Sequence, residues 1–409
     1  MKLSLDAAHA LALKNHPRVL ASEANYKAAN EQTAETKSAY YPVLNGEITG
    51  SQANQNARIG AGFLSNSRLF NRFGYGITLS QLITDSGRTP NLVASSRLAA
   101  QASEQNYRAS RIAVLLAVDR AYYDVLLAEG LVKVAQQTVQ SRQIVADQIE
   151  ELARNKLKSQ VDVSFTQVNL SDAKLMLIRA NSRLVTAFAA LSEALGSQNS
   201  RTYELADEPM PGAPAADAER LVAEAMRQRP ELAGARFEVE ASEKFASAER
   251  DLKRPTLSLT GVAGFLPLIH PSNVNPDIAP AYEGAAINLH IPVFNGHLFS
   301  AREQAAQYRL AAAREHERDF ENRIARDVRA AWAQAKTSYE ALSATAQLLD
   351  QAKMALDLAQ GRYHLGLSSV VELSQAQLSE TQAEVENLSA RYDYQAAHRA
   401  LQYSVGNLP

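Results

Sequence analysis

The chain has 409 residues, with 42 Lys and Arg against 44 Asp and Glu, for a net charge of −2 at neutral pH. Nothing in that balance suggests a nucleic-acid partner, whose phosphates call for a strongly basic face. The absence of cysteine excludes disulfides, thiolate metal sites and cysteine nucleophiles, and an aromatic content of only 7% favours long helices over a compact mixed sheet.

No apolar run approaches the ~18 residues of a transmembrane helix; the longest covers 112–118. No secretory signal precedes residues 3–13, so either the chain is cytosolic or its numbering starts after a removed signal. The first predicted element is a helical stretch over 5–39. Two segments of period two follow, at about 43–52 and 72–84, in which Leu44 and Ile48 alternate with Asn45, Glu47 and Thr49, and Phe73, Tyr75, Ile77 and Leu79 alternate with Thr78 and Ser80. Such alternation predicts strands with one apolar and one polar face. A polar, Gly-containing loop over 52–72 joins them. A helix over about 88–155 comes next, broken only by Pro90 and Gly130; at ~1.5 Å per residue it runs to about 100 Å. A second helix spans about 161–195. The polar segment 197–217 carries Pro209, Pro211 and Pro214, as a connector should. The same order then recurs: a helical stretch over 218–252, strands at about 256–266 and 282–294 around a loop at 267–280, and helices over about 296–365 and 370–405.

The recurrence is a duplication. Pro17 and Pro230 differ by 213 (230 − 17), as do Pro42 and Pro255 (255 − 42), whereas Asp85 and Asn295 differ by 210 (295 − 85), as do Asp162 and Glu372 (372 − 162) and Gly196 and Gly406 (406 − 196). A loop between the early and late landmarks absorbs the change. The chain therefore reads as a first repeat over 1–196, a connector over 197–217 and a second repeat over 218–409.

Helices this long need partners. Leu342, Leu349, Leu356 and Tyr363 recur every seven residues with Thr345, Ala352 and Ala359 between them, a coiled-coil seam whose small residues allow close approach. The strands pose a different problem. Two per repeat make four, and a membrane barrel needs at least about 8. Open edges in lipid leave backbone groups unpaired, so a membrane reading forces oligomerisation. The other home for such a sheet is a small soluble sandwich, which has nothing to pack along helices of this length.

Here the residues resemble the TolC family of outer-membrane channels. The marks are an apolar strand ending in an Asp/Asn-containing Gly turn before a long helix, in Ile77-Thr78-Leu79-Ser80-Gln81-Leu82-Ile83-Thr84-Asp85-Ser86-Gly87-Arg88 and again in Ile287-Asn288-Leu289-His290-Ile291-Pro292-Val293-Phe294-Asn295-Gly296. A further mark is Tyr363-His364-Leu365-Gly366-Leu367-Ser368-Ser369-Val370-Val371-Glu372-Leu373, followed by Gln375-Ala376-Gln377. The resemblance covers the whole chain in register with the duplication. It implies a mainly α protein with transmembrane β: a long coiled-coil α-barrel plus four strands per protomer, which in a homotrimer give a single barrel of 3 × 4 = 12 strands. It also implies an outer-membrane and periplasmic location in a Gram-negative bacterium. The function it implies is a passive exit duct for a tripartite efflux or type I secretion system, in contact with outer-membrane lipid. A periplasmic adaptor and an inner-membrane pump of RND or ABC type would deliver the substrate and the energy. No enzymatic activity and no cofactor are expected. The alternative is a periplasmic adaptor or coiled-coil scaffold without a pore, which usually has one hairpin where this chain has two.

The resemblance places a gate at the hairpin tips. Tyr363 matches the family's gate Tyr and Asp162 its acidic partner; Ser368 stands where the best-known member has Arg; Glu372 matches one acidic ring and Gln375 replaces the second. A threefold ring of Glu372 would favour cations. The tips themselves, Asn155, Lys156 and Leu157 in the first repeat and Leu365, Gly366 and Leu367 in the second, are the expected adaptor contacts. Gly366 is a natural left-handed stop; Lys156 holds the aligned place, with Asn155 beside it able to take that conformation instead. Asp162 and Glu372 read equally as helix N-terminal acids favoured by the macrodipole, and Tyr363 equally continues the packing seam. The histidines lack metal-ligand spacing, Gly60-Ala61-Gly62 has no following Lys-Ser/Thr, and no nucleophile elbow exists. Trp332 is expected to pack in a core or seam. Tyr40, Tyr41, Phe63, Phe70, Phe73, Phe265 and Phe294 gather near strand ends, either as interfacial aromatic belts or as ordinary strand packing.

Overall fold

The computed structural model describes residues 2–52, 58–59, 67–68, 72–198, 203–266 and 280–407. Elements follow in chain order: β1 (Lys2–Leu3), α1 (Leu5–Asn15), α2 (Pro17–Lys37), a 3-10 turn (Ser38–Tyr40), β2 (Val43–Ser51), β3 (Arg58–Ile59), β4 (Ser67–Arg68), β5 (Arg72–Thr84), α3 (Arg88–Arg154) and α4 (Gln160–Ala194). The connector holds β6 (Glu204–Leu205), and the second repeat has α5 (Ala218–Gln228), α6 (Pro230–Asp251), β7 (Thr256–Phe265), β8 (Ala281–His290), α7 (Leu298–His364) and α8 (Val370–Val405).

Three expected elements are divided or shortened, and proline is the cause each time. The helical stretches over 5–39 and 218–252 each break into two helices. His16 and Arg229 are extended at ψ 123° and 121° because a following proline disfavours the helical region for the residue before it, and Pro17 and Pro230 then open α2 and α6 at the position where a missing N–H costs nothing. The strand expected over 282–294 stops at His290, since Pro292 cannot donate to a ladder.

The duplication is written in the backbone. Among the described residues, those with positive φ are Ser86, Gly87, Lys156, Gly196, Gly296, His297, Gly366 and Gly406. They form pairs at one offset: 296 − 86, 297 − 87, 366 − 156 and 406 − 196 all equal 210.

The chain forms two compact units, Met1–Asn25 with Glu104–Gly234 and Arg318–Pro409, and Tyr26–Ser103 with Ala235–Glu317. Both draw on both repeats. In the first unit, one core gathers Leu5, Val118, Tyr122, Val125, Phe188 and Leu191 from α1, α3 and α4, and a second gathers Val222, Leu232, Ile324, Val328 and Leu401 from α5 to α8. Small residues line the helix seams at heptad spacing: Thr166, Ala173, Ala180 and Ala187 on α4, and Ala383, Ala390 and Ala397 on α8, are buried, as knobs-into-holes packing requires. The expected seam on α7 is present, with Ala352 and Ala359 buried in it. The described part of the connector is strapped to this unit by side chains reaching its backbone carbonyls. Trp332 Nε1 donates to Ala215 O at 2.7 Å, Gln395 Nε2 to Glu208 O at 2.9 Å, and the Tyr394 hydroxyl to Gly212 O. Trp332 also packs against the second core, as expected.

The second unit holds a four-stranded antiparallel sheet in the order β2-β5-β7-β8. Buried carboxylates anchor the helix ends beside it. Asp85 accepts from Thr89 N and Oγ1 at 2.6 Å, Glu249 pairs with Arg302 at 2.7 Å, and Asp251 accepts from Asn91 at 2.9 Å.

Candidate functional site

The reversal of each helical hairpin in the first unit is built from one device. At the first tip, Lys156 N donates to Ala153 O and Leu157 N reaches back to Leu152 O at 2.8 Å; at the second, Gly366 N donates to Tyr363 O and Leu367 N to Arg362 O at 2.8 Å. Each is a Schellman closure with one left-handed residue. Lys156 itself takes that conformation, at φ 61°. Asn155 instead keeps its side-chain amide on Glu151 O at 2.9 Å, which corrects the expected assignment: the closure is centred one residue later, and the cost of a Cβ there is borne by Lys156. Leu157, Leu365 and Leu367 are exposed by 70%, 74% and 66%, so the tips present leucines to whatever meets them.

The returning helices then start alike and diverge. Ser159 caps α4 by accepting from Asp162 N, while Asp162 Oδ2 accepts from Ser159 N at 3.1 Å and Ser159 Oγ at 2.8 Å, a complete capping box. These hydrogen bonds hold the Asp162 carboxyl below its usual range, helped by Lys158. Ser369 caps α8 the same way, but Glu372 turns aside to Arg362 at 3.2 Å. The charge expected to line a constriction is thus already partnered within the protomer.

Tyr363 and Asp162 do come near one another. Burial first, and the Asp162 charge second, push the Tyr363 phenol up. They are not hydrogen-bonded, however: the Tyr363 hydroxyl and the Ser368 hydroxyl are both buried without a partner in the single chain. The Lys158 ammonium stands 5.2 Å from the centre of the Tyr363 ring, a cation–π contact between the two hairpins. A positive charge therefore meets Tyr363 from the first tip. Gln375 is exposed and lines a cavity of 260 Å³ between α3, α4 and α8, together with Arg142, Asn169, Asp172 and Ser374. Arg142 was not singled out by sequence reasoning, and Gln377 only as part of the mark Gln375-Ala376-Gln377; their signal was a polar residue at a heptad position, visible only once the seam's phase is known.

The sheet of the second unit sorts its side chains as the alternation requires. Register places Leu44, Leu79, Gly261 and Ala285 in one row, Ile48, Tyr75, Phe265 and Ala281 in another, and Leu259 opposite Ile287 and Leu257 opposite Leu289, all on one face. The other face carries Asn45, Glu47, Thr78, Ser80, Ser258, Thr260, Asn288 and His290. There Asn288 Nδ2 bonds Thr260 Oγ1 at 3.1 Å. The apolar face has no cover: Leu44, Ile48, Ile77, Ile287 and Leu289 are all exposed. Phe73, Tyr75 and Phe265 cluster at one end of it, with ring centres 6.4 and 5.9 Å apart; Tyr40, Tyr41 and Phe294 are exposed toward the other end. Phe63 and Phe70 lie outside the described residues. No helix among the described residues is long and apolar enough to cross a membrane.

The family model for outer membrane efflux proteins matches residues 9–197 and again 221–407. Over 97% of this chain and 89% of its own length, the outer membrane protein TolC of Vibrio cholerae is 24% identical. A crystal structure of a membrane protein from Pseudomonas aeruginosa superposes with a TM-score of 0.85 at 23% identity, over 98% of this chain and 93% of that one. The outer membrane channel CmeC of Campylobacter jejuni does so with a TM-score of 0.84 at 19% identity, over 98% and 85%. Together with an uncovered apolar sheet and paired helical hairpins, these matches place the chain in the outer membrane of a Gram-negative bacterium, as a non-enzymatic channel component of an efflux system and a member of the TolC-type outer membrane efflux protein family.

Proposed function

We propose that three copies of this chain close one 12-stranded barrel in lipid, and that the hairpin tips are both the gate of the duct and the place where a periplasmic adaptor docks. The observation that carries this reading is the four-stranded sheet with an exposed apolar face and two edge strands, β2 and β8, without outer neighbours among the described residues. Left open in lipid, those edges expose on the order of ten backbone groups at several kcal/mol each, a cost of tens of kcal/mol that only closure with further strands removes. The leucines at the tips suit contact with an adaptor's helical hairpin. The orphan hydroxyls of Tyr363 and Ser368 suit bonds that form when protomers meet. An inner-membrane pump of RND or ABC type supplies the energy.

Extraction tests the assembly. The protein should leave membranes only with detergent and run as a trimer, and reconstitution in a planar bilayer should give ion channels of small conductance. Purified material that stays monomeric in water without amphiphile removes the duct reading. For the gate, Tyr363→Phe should raise the conductance with little change in the protomer's stability, because its hydroxyl bonds nothing there.

A further inference from the structure

The seam between the two hairpins of a protomer is interrupted once by a charge. On α3, Ala121, Ala128, Ala135 and Ile149 are buried at seven-residue spacing, and Arg142 takes the position between the last two at only 7% exposure. Its guanidinium crosses to the other hairpin, where Nη1 donates to Gln377 Oε1 and to Ser374 O at 3.4 Å. Gln377 is also buried in its seam, and its amide returns to Ser141 Oγ at 3.3 Å, while Asn169 Nδ2 on α4 bonds Ser374 Oγ at 3.1 Å. An apolar pair would pack the site more stably; a buried polar pair at such a position sets register and separates at a lower threshold than a dry seam.

The site also has room for a second arrangement. Arg142 lies 14 residues before the turn residue Lys156 (156 − 142) and Asp172 lies 16 after it (172 − 156), so the two stand at about the same height on antiparallel helices of one hairpin. Both line the same 260 Å³ cavity, where Asn169, Ser374 and Gln375 interrupt a mostly apolar wall. Burial depresses the Arg142 ionisation and the Glu380 charge opposes this, so the side chain remains a cation in either position.

We propose that Arg142 is a releasable latch between the two hairpins of each protomer: the tips stay together while it holds Gln377 and Ser374, and they part when it turns within its own hairpin to Asp172. The latch rests on the reading of the tips as a gate. It also adds a hydrogen-bonded tie between the hairpins where Ser368 supplies no charge at the tip and the Tyr363 hydroxyl has no partner within the protomer.

The test is channel recording on the full-length trimer. Arg142→Met keeps length but changes one partner only, leaving the Gln377 amide oxygen buried without its charged donor; it should raise the open probability about tenfold, as loss of a charged hydrogen bond does. Gln377→Glu replaces an amide by a carboxylate facing the same guanidinium and should lower it. Asp172→Asn weakens the released state and should lower it too, with Arg142 in place should the methionine variant fail to assemble. Opposite signs for Arg142→Met and Gln377→Glu support the latch; wild-type behaviour of both, or equal signs, overturns it. Leu367→Cys, carrying a bulky thiol label at the tip of this otherwise Cys-free chain, probes the gate itself. A label that leaves conductance unchanged sinks the gate and the latch together; one that lowers conductance while the latch variants behave as wild type sinks the latch alone.

Discussion

Asp162 and Glu372 occupy equivalent helix starts, 210 residues apart, yet do different work. Asp162 spends its carboxylate on its own cap, taking both Ser159 donors; Glu372 leaves the cap to the Ser369 hydroxyl and reaches Arg362. The difference has a pH consequence. The Asp162 pKa is depressed in the folded chain, so its contribution is complete above the unfolded value of about 4 and is lost as pH falls through the lower folded value. Hydrogen exchange at the first turn of α4 should therefore stay slow at pH 5 and quicken below about pH 4, and Ser159→Ala should cost about 1 kcal/mol at neutral pH. Exchange there that is indifferent to acid would show that the box seen in the protomer does not hold. At Glu372 the charge-compensating Arg362 means that Glu372→Gln alone should move cation selectivity only slightly, and the double change with Arg362→Gln little further.

Within the helices, a residue that looks like a breaker turns out to be a spacer. α3 runs through Gly130 without interruption because α8 comes close there: a Cβ on Gly130 would lie 2.6, 3.0 and 3.3 Å from Cδ2, Cδ1 and Cγ of Leu388. Three atoms of one branched side chain cannot all be moved by rotating its end. Ala for Gly gains about 1 kcal/mol of helix propensity, against about 1–3 kcal/mol for overpacking. Gly130→Ala should therefore destabilise, by about 1 kcal/mol, and Leu388→Ala in the same chain should reverse the sign of the effect; a stabilising single variant in a denaturant titration would refute the argument. The same element shows where sequence reasoning reaches its end. Strand alternation, helix order and both offsets of the duplication were readable because each repeats a local physical period over many residues. What escaped depends on contacts: Lys156, Ser86 and His297 adopt left-handed backbones that Gly holds at only one member of each pair, Gln395, Trp332 and Tyr394 tie down the connector through carbonyls that carry no sequence signature, and Arg142 is indistinguishable from a surface arginine until the neighbouring hairpin covers it. Tyr363 and Asp162 stand near enough for the carboxylate charge to raise the phenol, and no hydrogen bond joins them within the protomer.

On the proposed closure, lipid acts on the whole molecule through one face of one sheet. Neighbouring residues on β8 point to opposite faces, Ile287 with Leu289 on the apolar one and Asn288 with His290 on the polar one. If closure puts the apolar face against hydrocarbon, a charge there must be desolvated or snorkel, while the same charge one residue away enters a wet lumen. Glu283 shows how the chain manages its own exception: it belongs to the apolar face, but two positions in from the last pair, Phe265 with Ala281, toward the aromatic end of the sheet, where the cost of a charge falls near the interface. Ile287→Arg should therefore cost about 2–4 kcal/mol of folding free energy in a bilayer, and Asn288→Arg less than about 1 kcal/mol. The measurement is the denaturant midpoint of the reconstituted trimer for each variant. Arginine has the same helix-and-strand propensity and the same bulk at both positions, so only the surroundings differ between them. Equal costs would mean that neither face meets lipid, and a larger cost at Asn288 would turn the barrel inside out.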